Sequence, residues 1–306
     1  MWKDWLRPLV RPLPQWATIA LMSPQQVISA TLRWDNSSAD VTVDHTVASL
    51  NPLVIATSVD AGQHPVLEYR DNDSGRLLGA LRLSRDVLDV GATSLVFYRV
   101  ASGKHDCLSL AHRSWNAWLQ NRQMLKNRSS NGLNTDPAAV QQLMIAYLCP
   151  KPVVLVSVNT DGHQNIFPMD LIGPLDRSGY FSLALRTTNV SVPILREARR
   201  VALSHVPATM KQVVYRLSEH HKQALTAWSA LPFPVRLSRE FGIPVVAEAG
   251  RVQELTIVHS QEIGLHTFFV CRVVSDETGV RVAQLHHTAG FHQAHRLRRR
   301  VPFDEV

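Results

Sequence analysis

The stretch PKPVVLVSVNTDGHQNIFPMD, residues 150–170, decides the fold of this chain. Its apolar, β-branched run from Pro152 to Asn159 is typical of a buried strand. Asp161 and Gly162 follow, and this dipeptide favours the tight turn of a β-hairpin. The stretch therefore predicts two antiparallel strands joined by a short turn.

Apolar runs of similar length recur along the chain, separated by turn residues. They lie at 16–23, 27–34, 52–59, 77–84, 94–101, 152–159, 179–186, 200–206, 251–263, 267–276 and 280–287. Helical spacing of apolar residues is confined to 108–126, 138–148 and 211–228. Because strands do not alternate regularly with helices, a mainly β chain with an antiparallel barrel is favoured over a doubly wound sheet.

One turn-rich stretch, KNRSSNGLNTDP at 126–137, is the best candidate for a domain boundary. Asp136 and Pro137 at its end have the order of a helix start, in which a capping residue precedes proline. We therefore expect a β-rich domain at 1–136 and a barrel with a basic C-terminal tail at 137–306.

The two expected domains share a sequence pattern. PLVIATSVDAGQHPVLEYRD, which starts at Pro52, parallels PVVLVSVNTDGHQNIFPMD, which starts at Pro152, and 74–82 parallels 178–186. Chance matching of apolar strands is the alternative explanation, but the slow drift of the offset favours duplication. The first domain is thus interpreted as a degenerate copy of the second.

Composition and charge limit the partners of the chain. It has 306 residues, of which 45% are hydrophobic and 19% charged, and a formal net charge of +7. A basic chain favours anionic partners such as nucleotides. The arginine cluster at 296–300 is interpreted as a solvated terminus rather than a nucleic-acid site, because no aromatic recognition motif accompanies it.

Cysteines, histidines and the N-terminal residues suggest neither a metal site nor a membrane protein. Cys107, Cys149 and Cys271 stand far apart without a C-x-x-C pair. The first sixteen residues hold Asp4 and several prolines, so we expect neither a secretory signal nor a membrane span, and a cytoplasmic location. The tail histidines fit no usual zinc spacing, and a surface or interface role is expected for them: His286, His287, His292 and His295.

Common catalytic signatures are absent from the sequence. It contains no G-x-G-x-x-G, no G-x-x-x-x-G-K-[ST], no G-x-S-x-G and no H-E-x-x-H. An enzyme without these motifs can still borrow its chemistry from a cofactor held by a fold other than the dinucleotide-binding one.

The order of several motifs resembles the flavin reductase-like family, which is built on the FMN-binding split barrel. That family begins with a basic-Pro-Val strand, an Asp-Gly hairpin and an Asn-x-x-Pro segment, which are similar to 151–153, 161–162 and 165–168 here. A Gly-x-His-x-x-Phe strand reappears at 264–269. The resemblance runs from about Leu143 to Asp276 and implies an FMN-binding split barrel.

The resemblance also implies where the cofactor binds. The loop after the strand 181–185 is expected to hold the FMN phosphate through Arg186, Thr187, Thr188 and Asn189. A polar turn with a capping residue is the plainer explanation of that loop. The segment expected to border the isoalloxazine contributes Asn165, Phe167, Pro168, Met169, Asp170 and Leu171, and Lys151 is a further cofactor-binding candidate.

Asp170 departs from the family pattern, and His266 matches it. Asp170 stands where the family usually has Ser, and a carboxylate beside the flavin would disfavour an anionic reduced ring unless it is hydrogen-bonded or shielded. Asp170 is therefore expected either to alter the cofactor chemistry or to turn away into a salt bridge. His266 matches the family's strand histidine and is the catalytic candidate, although a histidine inside an apolar strand is often structural.

The activity implied by the resemblance is hydride transfer from NADH or NADPH to FMN. Family members are usually homodimers, and here the first domain could supply the second surface as an internal pseudo-dimer. A partner monooxygenase is one possible acceptor of the reduced flavin. The alternatives are a non-catalytic flavin- or haem-binding barrel and an interaction protein that has lost its cofactor.

Overall fold

The computed structural model describes residues 12–23, 27–86, 93–126 and 136–306, and for 124–126 it describes the backbone only. The best boundary candidate, 126–137, and most of the N-terminal segment considered above therefore lie largely outside the described residues. The first half contains β1 (Trp16–Leu21), β2 (Ile28–Trp34), β3 (Ser37–Asp40), β4 (His45–Leu50), β5 (Leu53–Thr57), β6 (Val66–Asp71), β7 (Leu77–Asp86), β8 (Val96–His105) and α1 (Leu110–Lys126).

The second half begins with α2 (Pro137–Ala146) and continues through a larger set of strands. These are β9 (Lys151–Pro152), β10 (Val154–Thr160), β11 (His163–Met169), β12 (Ile172–Leu175), β13 (Tyr180–Arg186), β14 (Arg200–His205), β15 (Val235–Leu237), β16 (Pro244–Val246), β17 (Arg251–Ile263), β18 (His266–Thr278), β19 (Gln284–Ala289) and β20 (Asp304–Glu305). Its helices are α3 (Ser191–Ala198), α4 (Lys211–Arg216) and α5 (Gly290–Arg298), and 3-10 turns lie at Asp176–Ser178, Ala208–Met210, Leu217–His221 and Trp228–Ala230.

Each half is organised around one antiparallel seven-stranded sheet. The first sheet has the order β3-β2-β6-β7-β8-β5-β4, and the second has the order β11-β10-β14-β17-β18-β13-β12. The predicted hairpin forms as expected, with Val154 opposite Met169 and Thr160 opposite His163. The expectation of a mainly β chain, with a β-rich first half and few helices, is confirmed.

The start of α2 is also confirmed. The Asp136 side chain accepts a hydrogen bond from the Ala138 N–H at 3.0 Å, and Pro137 occupies the first turn. This helix packs on the first sheet, and Leu143 and Ile145 belong to the same apolar cluster as Leu81 and Phe97. The division of the chain at 136/137 stays a prediction.

Some local expectations were wrong. The helical pattern at 211–228 gives a regular helix only to Arg216, because the Asn165 side chain binds the His220 carbonyl and the Leu225 N–H, which a continuous helix would need for itself. The strand expected at 280–287 starts at Gln284, and α5 was not anticipated.

The two halves are joined by pairing and by a shared core. Strand β1 pairs with β19, so the start of the described chain belongs to a sheet of the second half. Strand β4 packs against β12, β13 and β18, and the Phe97 and Phe268 rings meet edge to face at 5.3 Å. The surface of the second sheet around β12, β13 and β18 is therefore covered by the chain's own first half.

The strand pairings agree only in part with the interpretation of an internal repeat. Strand β5 pairs with β8 as β10 pairs with β14. Strand β6 pairs with β2 and β7, however, whereas its expected counterpart β11 pairs with β10. The duplication stays a prediction.

The C-terminal residues are more tightly held than a solvated tail. Arg299 donates to Asp71 of the first half, and the Arg296 guanidinium lies 4.4 Å from the centre of the Phe303 ring. The four tail histidines are buried rather than on the surface. Within the described part of the chain, no helix is long and apolar enough to cross a membrane.

Candidate functional site

The loop after β13 presents polar side chains at one end of the second sheet. Arg186 and Thr188 are exposed, and Asn189 is buried. The Thr187 N–H donates to the Leu265 carbonyl at 3.0 Å, which fixes the loop against the β17–β18 turn. The Asn189 side chain accepts from the Ser191 N–H at 2.8 Å at the start of α3. Thr187 and Asn189 thus shape the loop, and Arg186 and Thr188 are its exposed polar residues.

Asn165 ties this loop to the neighbouring strand. Its side chain donates to Ser191 Oγ at 2.7 Å and to the His220 carbonyl at 2.9 Å. Its oxygen accepts from the Ile166 N–H at 3.0 Å and the Leu225 N–H at 3.2 Å. Asn165 is fully buried, so these four bonds satisfy the whole amide. The residue acts as a structural link beneath the candidate site.

The rest of the expected isoalloxazine segment lies along an edge strand. Strand β11 is the first in the order of the second sheet, so one backbone edge of this strand is paired with no other strand of the described residues. Phe167 and Met169 belong to the core cluster of the second half, Leu171 packs with the core of the first, and Pro168 is buried. Their side chains serve packing, and the 3-10 turn Leu217–His221 packs against the strand.

Two histidines that the sequence did not single out line this edge. His220 Nδ1 lies 2.8 Å from the Ile166 carbonyl, and His221 Nδ1 lies 2.7 Å from Asn189 Nδ2. The His221 ring also packs on Phe167, with 5.1 Å between the ring centres. Burial lowers the pKa of His221, so its imidazole is neutral at neutral pH. The available signal was the pair of histidines inside the helical pattern at 211–228.

Asp170 is held in a hydrogen-bonded chain. Its Oδ2 accepts from the Tyr147 hydroxyl at 2.9 Å and lies 2.7 Å from His287 Nδ1. His287 Nε2 lies 2.6 Å from the Tyr215 hydroxyl, which in turn lies 2.7 Å from Thr18 Oγ1. Burial pushes the pKa of Asp170 upward, but the hydrogen bond and charge of His287, together with Tyr147, hold it below its ordinary value. In this geometry the Asp170 carboxylate is paired with His287, which corresponds to the second of the two expectations, a salt bridge.

A substitution of Asp170 tests this arrangement. Asp170→Asn is expected to lower the free energy of unfolding by about 2 kcal/mol at pH 7, because charged hydrogen bonds of this kind are worth about that much. A carboxyl whose pKa is depressed on folding stabilises above its unfolded pKa of about 3.9 and loses this effect as the pH falls through the folded value. The difference between the two proteins, measured by urea denaturation, should therefore persist at pH 5 and shrink below about pH 4.

Tyr215→Phe is the matched control for that substitution. It removes a neutral hydroxyl from the same chain of hydrogen bonds and leaves the contact between Asp170 and His287 in place. A loss of about 1 kcal/mol without the acid dependence is expected. If Asp170→Asn were as stable as the unmodified protein at pH 7, the role given to the carboxylate would be wrong.

His266 lies under a turn of the first half. Its Nδ1 is 3.3 Å from Ser49 Oγ and 3.5 Å from the Leu50 N–H, and the side chain is 1% exposed. Burial, reinforced by the charge of Arg186, lowers the pKa of His266 to about 4. The neutral imidazole can orient neighbouring groups, but it carries no proton to donate as an acid at neutral pH.

Lys151 is not brought together with the other candidates. It lines a cavity of about 700 Å³ whose walls include none of the residues at 165–171 or 186–189. Along β13, the distance from Arg186 to the cavity residue Phe181 is about 17 Å, at about 3.3 Å a residue. The structure thus places Lys151 at the other end of the sheet from Arg186–Asn189 and His266. The segment 165–171 runs between these two ends, because Asp170 binds His287, which pairs with Lys151 in the β9–β19 ladder.

Comparison with known families agrees with the fold of the second half. Residues 146–295 match the model of the flavin reductase like domain. The second half of the chain is a flavin reductase-like domain. The match supports a flavin-linked role for this half and confirms the resemblance carried by the motifs. No curated protein matches the chain significantly.

Several solved structures are similar to the flavin reductase-like domain. The FMN-binding protein from Thermus thermophilus with bound 1-cyclohex-2-enone is 25% identical over 42% of this chain and 71% of that protein, with a TM-score of 0.38. The NADH:FAD oxidoreductase SgcE6 of Streptomyces globisporus C-1027 is 18% identical over 50% and 89%, with a TM-score of 0.43. The styrene monooxygenase flavin reductase of Pseudomonas putida S12 is 17% identical over 44% and 85%, with a TM-score of 0.36.

Proposed function

We propose that the flavin reductase-like domain binds FMN and transfers hydride to it from NADH or NADPH. The observation that carries the proposal is that the exposed Arg186 and Thr188 lie at one end of the second sheet, of which β11 is an edge strand. The phosphate would bind at 186–189, and the polar edge of the ring would lie along 165–171.

The donor set of the loop fits a phosphate. Arg186 offers a guanidinium, Thr188 offers a hydroxyl, and α3 begins two residues after Asn189. Charged donors of this kind and the start of a helix favour a dianion. Thr187 and Asn189 contribute by fixing the loop rather than by pointing outward, as their bonds to Leu265 and Ser191 indicate.

The hydrogen bonds of Asp170 favour flavin chemistry in spite of the departure from Ser. Its carboxylate is engaged by Tyr147 and His287, so its charge is partly screened from a neighbouring ring. His287 is thus the partner of Asp170, which stands where the family has Ser. Paired in this way, Asp170 disfavours an anionic reduced ring less than a bare carboxylate would.

When bound, FMN would supply the hydride acceptor, so no acid or base on the protein is needed for that step. The chain's own residues would bind the phosphate, orient the ring and exclude water. His266, the catalytic candidate, would act as a neutral positioning group beside Arg186. The covering turn at Ser49 and Leu50 would supply internally the surface that a second subunit gives in a dimer, and a partner monooxygenase would accept the reduced flavin.

Anaerobic oxidation of NADH and NADPH tests the proposed reaction. The purified protein, titrated with FMN, is expected to bind one flavin per chain and to bleach its 450 nm absorbance when either nicotinamide is added. Binding without bleaching would favour the alternative of a non-catalytic flavin protein, to which the 1% exposure of His266 gives some support. Absence of saturable FMN binding would overturn the cofactor proposal.

Arg186→Ala tests the phosphate loop. Because one guanidinium contact to a phosphate is lost, we expect the Kd for FMN to rise at least tenfold, with little change for riboflavin, which has no phosphate. Fluorescence quenching measures both affinities. Arg196→Ala is the control, since this residue pairs with Glu262 on the exposed face of α3. Equal losses for FMN and riboflavin would mean that Arg186 does not contact the phosphate.

A further inference from the structure

The cavity that Lys151 lines lies at the opposite end of β13 from the candidate phosphate loop. It has a volume of about 700 Å³ and is walled by both halves of the chain, with Val43 and His45 from the first and Gly173, Tyr180 and Gln253 from the second. This volume is within the range of sites that bind small organic molecules. The cavity therefore has room for a ligand as well as solvent.

Lys151 supplies the feature that indicates a ligand. Its side chain is 6% exposed and lines the cavity. Among the described residues, no carboxylate forms an ion pair with its ammonium group and no acceptor is hydrogen-bonded to it. Lysines with so little exposure are ordinarily paired, so the ammonium of Lys151 is left for a ligand in the cavity to neutralise.

The carboxylates in the cavity wall are oriented toward other groups. Asp276 accepts from Arg251 Nε at 2.8 Å, and the pair is complete without Lys151. Asp176 lies near Asp44, whose charge, after burial, raises the pKa of Asp176. Neither residue therefore neutralises the lysine.

The histidines around Lys151 do not add charge at neutral pH. Burial, followed by the charge of Lys151, lowers the pKa of His45 to about 3. Burial also lowers the pKa of His286 to about 4 and that of His205 below its ordinary value. These three rings are thus neutral at neutral pH and can donate or accept hydrogen bonds. The other cationic side chains of the wall are Arg251 and Arg281.

We propose that this cavity is a binding site for a small organic anion, whose carboxylate or phosphate group pairs with the ammonium of Lys151. Ile172, Phe181 and Val43 offer apolar surface to the rest of such a molecule. The site is distinct from the proposed phosphate loop, because about 17 Å of β13 separates Phe181 from Arg186. It adjoins the far end of the segment 165–171 at Ile172. Its ligand would be held between the two halves of the chain.

Three probes that share a phenyl ring test the proposal by isothermal titration calorimetry on the full chain. Benzoate carries a carboxylate, phenyl phosphate carries a phosphate, and benzamide is the neutral analogue of benzoate. At least one of the two anions is expected to bind with a stoichiometry near one, and benzamide to bind at least tenfold more weakly. The anion that binds identifies the preferred group. If neither anion binds, or if benzamide binds as well as benzoate, the proposal is wrong.

Substitutions separate this site from the flavin site. Lys151→Met should weaken anion binding at least tenfold, Lys151→Arg should retain it in part, and Lys222→Met, an exposed residue with the same change in charge, should have no effect. Arg186→Ala should leave anion binding unchanged, and Lys151→Met should leave FMN binding unchanged. If Lys151→Met weakened FMN binding as strongly as Arg186→Ala does, the cavity would belong to the flavin site and the proposal would be overturned.

A circular-dichroism spectrum and a urea denaturation curve of Lys151→Met confirm that the variant is folded before binding is compared. Removal of an unpaired buried charge is expected to leave the free energy of unfolding unchanged or to raise it. A folded Lys151→Met protein that binds the anion as tightly as the unmodified chain would exclude the lysine as its partner.

Discussion

Gly264→Ala is expected to destabilise the chain by about 4 kcal/mol, the largest effect of any substitution considered. Gly264 has φ +56, and a Cβ built on it would lie 2.2 Å from the Asn51 carbonyl oxygen. The left-handed backbone costs about 1 kcal/mol for alanine, and the rest arises because one backbone must move away from the other. Urea denaturation measures the change in the free energy of unfolding.

Gly162→Ala is the control that separates these two contributions. Gly162 has φ +88, and nothing lies within 4 Å of its built Cβ. A loss of only about 1 kcal/mol is expected there. Equal losses at Gly162 and Gly264 would show that contact between the two halves adds nothing.

Gly264→Ala is also expected to weaken FMN binding, since Gly264 begins the turn that fixes the candidate phosphate loop. The Leu265 N–H donates to the Asn51 carbonyl at 3.1 Å, and the Leu265 carbonyl accepts from Thr187 at 3.0 Å. A displaced turn would carry Thr187 with it. The affinity for FMN, measured beside that of Gly162→Ala, distinguishes this effect from general destabilisation.

Asn165→Ala is expected to cost about 3 kcal/mol of unfolding free energy. The substitution leaves the His220 carbonyl and the Leu225 N–H without their partner in a buried place, and each such group costs about 1–3 kcal/mol. Because Asn165 also holds Ser191 at the start of α3, FMN binding should weaken together with stability.

Gln164→Ala is the matched control for Asn165. Gln164 is the preceding residue, and its side chain donates to the Thr226 carbonyl at 2.7 Å in an exposed position. A loss below about 1 kcal/mol is expected, since water replaces an exposed partner. Urea denaturation measures the free energy of unfolding of both variants. A loss for Asn165→Ala as small as that for Gln164→Ala would contradict the linking role of Asn165.

The features that the sequence predicted depend on neighbouring residues. The β10–β11 hairpin is determined by the Asp161-Gly162 turn between two apolar runs, and the start of α2 by Asp136 and Pro137. The loop after β13 could be located because the apolar run of that strand ends at Leu185, whereas its binding of a phosphate stays a prediction. In each case the physical cause lies within a few residues of the feature, so the pattern was sufficient.

The contacts that the sequence did not predict join distant parts of the chain. Asp170 meets His287 across 117 positions, and Ser49 meets His266 across 217. The failure of the helix after Arg216 has the same origin, because its competing bonds come from Asn165. No local sequence pattern predicts such a long-range contact, although the Asp in place of Ser indicated that a compensating partner was needed.

The turn between β4 and β5 covers His266 and contacts Gly264, and it belongs to the same chain as they do. A surface supplied by a separate molecule would be present in proportion to the concentration of that molecule. A covalently linked surface has a fixed effective concentration, set by the length of the connecting chain. The covering of His266 is therefore a first-order equilibrium, which dilution leaves unchanged and which only local unfolding of the first half can open.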